Sequence, residues 1–99
     1  MKQNDLRIPS KIFRILGSES ALKIFFILGL KNEMCVSDMT KEIGLSMPAT
    51  SHHLQRMESA GLINSRRMSR TICYALKETK LNLELLKCLR RMLAQKGRG

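Results

Sequence analysis

The stretch from Val36 to Leu62, VSDMTKEIGLSMPATSHHLQRMESAGL, constrains this chain most, because Gly44 cuts it into two short helical patterns joined by a tight turn. The first pattern predicts Ser37 as N-cap, Asp38 near the positive helix end, and Met39 and Ile43 inward. Leu45 and Ser46 form the turn, and Ser46 or Met47 caps the second helix. Pro48 is tolerated in that first turn, where its missing N–H would have no intrahelical partner. At about 100° per residue, Thr50, Leu54, Met57 and Gly61 share one side and must face inward. Pro48, His52, Gln55, Arg56 and Ser59 fall opposite, with Ser51 on a flank. Ser, His, Gln and Arg side chains near a helix N-terminus can pair with base edges in a major groove and hold phosphates. The competing reading is an ordinary solvated helix face.

Charge favours the first reading. Eighteen Lys and Arg against eight acids give a net charge of +10, a balance suited to a polyanion such as DNA, RNA or an anionic membrane surface. At 99 residues the chain is expected to be one small domain with a marginal core. With 4% aromatic residues, that core must rely on Leu, Ile and Met. No segment approaches the roughly 18 to 20 apolar residues of a membrane span, and MKQNDLRIPS lacks the apolar centre of a signal peptide, so a cytoplasmic protein is expected. Cysteines at 35, 73 and 88 are too few and too scattered for a disulfide framework, which fits a reducing compartment. No paired carboxylates, no nucleophile with a base and no phosphate-cradling glycine loop is present, so an enzyme is not expected.

Along the chain, residues 1–8 read as a flexible arm. Pro9 opens a helix carrying Ile8, Ile12, Phe13, Ile15 and Leu16 and closed by Gly17. Ser18 caps a second helix, Ala21 to Leu30, which is apolar nearly all round and is the expected central element. Met34 to Val36 fit one short strand ahead of the helix pair at 37–60. Residues 63–76 read as a hairpin with Ile72, Tyr74 and Leu76 on its inner face, Cys73 and Ala75 on its outer face, and Arg66, Arg67 and Arg70 near its tip as a phosphate clamp. A last helix, 80–95, carries Leu81, Leu85, Cys88, Leu89, Met92 and Leu93 on one wide arc, and 96–99 form a loose tail. That arc exceeds what one small domain covers, so a homodimer through the first and last helices is expected. The fold class is mainly α with a small β-hairpin, in the order α1-α2-(β1)-α3-α4-β2-β3-α5 of a winged helix-turn-helix.

Within that order, EMCVSDM from Glu33 resembles the ELCVCDL segment of the ArsR/SmtB repressors, and GLSMPATSHHLQRMESAGLINSRR resembles their GLSQPTVSRHLKVLREAGLVRSRR type of sequence. The match covers roughly residues 12 to 76. It implies a homodimeric transcriptional repressor that leaves its operator on binding a metal ion or on thiol modification, with Met47 to Arg56 as recognition helix and Arg66 to Thr71 as wing. The expected DNA contacts are Met47, Pro48, Ala49, Ser51, His52, Gln55 and Arg56 in the helix, with Arg66, Arg67 and Arg70 in the wing.

Where the resemblance implies metal-binding thiols, this chain has Cys35, Ser37 and Thr40, and its last helix has no histidine. A lone thiolate is a poor site for a soft metal. His52 and His53, adjacent on a helix, cannot share a face. No metal and no cofactor is therefore expected. Cys35 is a candidate thiol switch if a nearby cation lowers its pKa, against a plain structural role. The function expected is a dimeric, sequence-specific DNA-binding regulator, with a double-stranded operator as partner and no effector named by the residues. The alternative is a non-specific architectural DNA- or RNA-binding module.

Overall fold

The computed structural model describes residues 5–95, so the expected loose tail at 96–99 and the first half of the expected arm lie outside the described residues. Helix α1 (Arg7–Leu16) starts two residues before Pro9, not at it. Asp5 sets that start: its carboxylate accepts the Arg7 backbone N–H at 3.3 Å and the Arg7 guanidinium at 2.9 and 3.0 Å. Pro9 still falls within the first turn, where a missing donor breaks no helical hydrogen bond.

Helix α2 (Glu19–Lys31) is capped by Ser18, whose hydroxyl accepts the Ala21 N–H at 3.3 Å. It buries Ala21, Ile24, Phe25, Ile27 and Leu28, and the other helices pack round it. Gly29 lets α5 (Lys80–Ala94) pack close, since a Cβ there would lie 2.7 Å from a methyl of Leu86 and push that side chain aside.

Strand β1 (Glu33–Cys35) runs directly into α3 (Val36–Ile43). This corrects the expected cap. Cys35, extended at φ −85° and ψ 155°, is the N-cap, and Ser37 lies inside the helix. Strand pairing holds Cys35 extended, so the helix must begin at the next residue. Gly44 ends α3 at φ +75°, a left-handed conformation that costs glycine little. Helix α4 (Met47–Ser59) has Ser46 as cap, accepting the Ala49 N–H at 3.2 Å, with Pro48 in its first turn.

Strands β2 (Ile63–Met68) and β3 (Thr71–Leu76) form the hairpin, and β1 adds to its other side, giving an antiparallel sheet in the order β1-β3-β2. Two residues, Ser69 and Arg70, make the turn, with Ser69 at φ +59°. The register puts Ile63, Ser65, Arg67, Ile72, Tyr74, Leu76 and Met34 on one face, and Glu33, Cys35, Arg66, Cys73 and Ala75 on the other. Tyr74 is buried as expected and Ile63 is buried with it, but Ile72 is 36% exposed because the core ends before the hairpin tip. Cys73, expected on an open outer face, is buried. It is disulfide-bonded to Cys35, its register partner on β1, contrary to the expectation of unpaired thiols.

Helix α5 is capped by Thr79 and anchored by Asn82, a buried polar residue that the apolar pattern concealed. Its side-chain amide donates to the carbonyls of Leu62 at 2.9 Å and Lys77 at 2.8 Å, joining α5 to both ends of the hairpin. Leu85, Leu86 and Leu89 pack toward the core, whereas Leu81, Met92 and Leu93 remain exposed. No helix among the described residues is long and apolar enough to cross a membrane.

Candidate nucleic-acid interface

Helix α4 is fixed from one side. Thr50, Leu54 and Met57 are each completely buried, and the Thr50 hydroxyl donates back to the Ser46 carbonyl at 2.9 Å. Thr40 of α3 donates to the Met47 sulfur at 3.7 Å, tying the two helices at their turn. The opposite side is open: Met47, Pro48, His52, Gln55, Arg56 and Ser59 are exposed, and Ala49 and Ser51 are half-buried. Among the described residues, the side chains of Ser51, His52, Gln55 and Arg56 make no hydrogen bond or ion pair within the protein. Their donors and acceptors face outward on a rigid rod. His53 is half-buried beside them, and burial, then the charges of His52 and Arg56, pull its pKa below the ordinary histidine value.

The wing arginines separate into two groups. Arg67 lies on the sheet face of Ser65 and Tyr74, and Ser65 donates to the Glu58 carboxylate of α4 at 2.6 Å, so this face meets α4. Arg70 is exposed in the turn. Arg66 is on the other face, where its guanidinium grips Glu33 of β1 at 2.8 and 3.0 Å across the intervening β3. That bond holds the Glu33 carboxyl below the usual carboxylate range and raises Arg66. All three arginines of the expected clamp are exposed, and Arg66 braces the sheet as well.

His52, Gln55, Arg56 and Ser59 also form one wall of an open groove of about 730 Å³, whose other wall is Arg7, Ser10, Lys11 and Arg14 of α1, with Ile15 beside them. The sequence reading missed these α1 residues. Their shared spacing was the available signal, but nothing local places α1 beside α4.

The sequence matches the family described as bacterial regulatory protein, arsR family, over residues 18–65, from the cap of α2 into β2. The transcriptional activator HlyU of Vibrio cholerae is 30% identical over 84 residues, covering 85% of this chain and 76% of HlyU. The chain belongs to the ArsR family. Another relative of this ArsR-family chain, the cadmium resistance transcriptional regulatory protein CadC of Listeria innocua, is 35% identical over 72 residues, covering 73% of this chain and 60% of CadC. The chain spans about three fifths of the length of the curated CadC relatives that it matches.

A solved structure of Vibrio cholerae HlyU matches with a TM-score of 0.81 at 28% identity, over 96% of this chain and 100% of that one. The homodimeric winged helix-turn-helix DNA-binding domain of a possible ArsR-family regulator from Mycobacterium bovis matches with a TM-score of 0.77 at 20% identity, over 91% and 82%. At that identity the likeness is one of fold. The ArsR family consists of transcriptional regulators rather than enzymes.

The metal-ligand positions implied by the resemblance do not fit a metal here. Cys35 is bonded to Cys73, Ser37 is exposed at the start of α3, and Thr40 bonds Met47. Among the described residues, no group of three or more His, Cys, Asp or Glu side chains could hold an ion. Cys88 is an exposed free thiol on α5.

Proposed function

We propose that this chain is a homodimeric transcriptional regulator, a repressor by promoter occlusion. Its two copies of α4 enter successive major grooves about 34 Å apart on a pseudo-palindromic operator. The observation that carries this reading is the outer face of α4, where Ser51, His52, Gln55 and Arg56 have no partner within the protein while Thr50, Leu54 and Met57 anchor the helix from behind. Gln55 is the base-reading candidate, Arg67 and Arg70 hold backbone, and Met47, Pro48 and Ala49 bring the helix N-terminus against the groove.

The dimer reading is supported by Phe13 on α1 and Met92 on α5, which stay 66% and 64% exposed at the rim of an apolar hollow of about 270 Å³. A second copy covers that face. Thiol chemistry is the trigger that the residues favour over a metal. A dithiol would supply two electrons and two protons to the Cys35–Cys73 bond, leaving two thiols on the protein and a disulfide on the reductant, and unlinking β1 from β3. Operator binding would have the protein act in the cytoplasm.

The test is binding to DNA upstream of its own gene against a random duplex at about 150 mM salt, with and without a dithiol. Preference for the upstream DNA is expected, and Gln55→Ala should lose about 1–3 kcal/mol of discrimination at one base position. Equal affinity for all duplexes would replace this reading with an architectural one.

A further inference from the structure

The groove between α1 and α4 adds to the α4 face a basic α1 wall that the operator reading does not use. Its α1 wall comes from one helical face. Arg7, Ser10, Lys11 and Arg14 fall within about 100° of one another on the helix wheel, while Ile12, Leu16 and Phe13 turn elsewhere. Arg7 and Lys11, one turn apart, repel each other, and α1 has no acid in its first turn to compensate. Asp5 pairs with Arg7 from outside the helix. Lys11 and Arg14 make no ion pair among the described residues, although Arg14 donates to Ser10 at 3.4 Å. Facing them across the groove are Arg56 and His52, and no acidic side chain lines it.

We infer that this groove is a binding site for the sugar-phosphate backbone of duplex DNA, held by Lys11, Arg14 and Arg56, beside the bases read by α4. The inference rests on the operator reading above. Duplex backbone fits better than a small free anion for two reasons. The groove is open rather than enclosed, and one of its walls is the α4 face that meets the bases, so a duplex seated on α4 passes over α1. The wall is also compatible with dimerisation, since the apolar hollow that a second copy would cover uses Phe13 and Leu16 on other faces of α1.

The experiment compares the unaltered protein with the Lys11→Gln, Arg14→Gln double variant, an Arg14→Lys variant, Gln55→Ala and Arg67→Ala, titrating operator and random duplexes across salt concentrations. Removing two cations that each neutralise one phosphate should reduce the slope of log affinity against log salt by about two. The double variant should weaken operator and random DNA by the same factor, roughly tenfold or more at about 150 mM salt, with base preference intact. Arg14→Lys should keep the slope, and Gln55→Ala should keep it while relaxing preference. An unchanged slope in the double variant, with Arg67→Ala still shifting it, overturns the inference and leaves the operator reading standing. Saturable binding of inorganic phosphate that the double variant abolishes, with DNA affinity unaltered, overturns it in favour of a small-anion site. If the unaltered protein binds no duplex, the operator reading falls and the groove's role falls with it.

Discussion

Helix α4 and the wing are both exposed on their outer sides, yet they are held in place by different physics. Helix α4 is anchored by three side chains with no exposure at all, Thr50, Leu54 and Met57, two of them purely hydrophobic. Strand β2 buries only Ile63, and everything beyond it is exposed. The wing keeps its position through the β3 ladder, the Arg66–Glu33 ion pair and the Ser65–Glu58 hydrogen bond, while the Cys35–Cys73 bond ties β3 to β1. Apolar burial responds weakly to salt, acid and reductant, whereas polar and covalent ties respond directly. The element proposed to read bases is therefore expected to be constant, and the one proposed to grip backbone adjustable.

The largest effect should come from attacking the burial under α4. Leu54→Ala removes a fully buried side chain and should destabilise the fold by about 2–5 kcal/mol in urea denaturation. A loss below about 1 kcal/mol would show that α4 is not held by packing, and the contrast with the wing would collapse.

The next effect belongs to the disulfide. Cys35 and Cys73 close a loop with a sequence separation of 38, and breaking it should cost about 2–4 kcal/mol in the chain-entropy account. Cys73→Ser and reduction of the unaltered protein should lower the melting temperature equally and increase amide exchange in β1 and β3 before α4. A melting temperature insensitive to reductant, with no added exchange in the sheet, would remove the covalent tie from the comparison.

The buried and open faces of α4, and the caps Ser18 and Ser46, were legible because they depend on residues within a turn or two of each other. The start of α3 was misplaced because Cys35 answers to a partner on β3, a constraint that helix capping rules do not contain. The ion pair of Arg66 is invisible in the sequence because nothing near it indicates Glu33, 33 residues away. Asn82 is hidden inside an apolar arc because its acceptors, the Leu62 and Lys77 carbonyls, flank the hairpin. In each case the missing information was register or element placement, which one helix or strand cannot encode alone.

The smallest effect, and the sharpest separation of the two regions, should come from the Glu33–Arg66 pair. The Arg66 hydrogen bond lowers the Glu33 pKa in the fold, so the ionised carboxylate is favoured there over the unfolded chain. Its contribution is complete above the ordinary glutamate range near about 4.3, and is lost as pH falls through the lowered folded value. Both groups are exposed enough for salt to screen them, so the effect on global stability should be slight. Locally it should be visible. As pH drops below about 4, or as salt rises at neutral pH, amide exchange corrected for its intrinsic rate should accelerate at Arg66 and Arg67 while Leu54 and Gln55 stay unchanged. Glu33→Gln should produce the faster wing exchange at neutral pH and abolish its acid dependence. Parallel acceleration in α4 and β2 would mean that the two elements open as one unit, and the wing would then have no independent adjustment to offer.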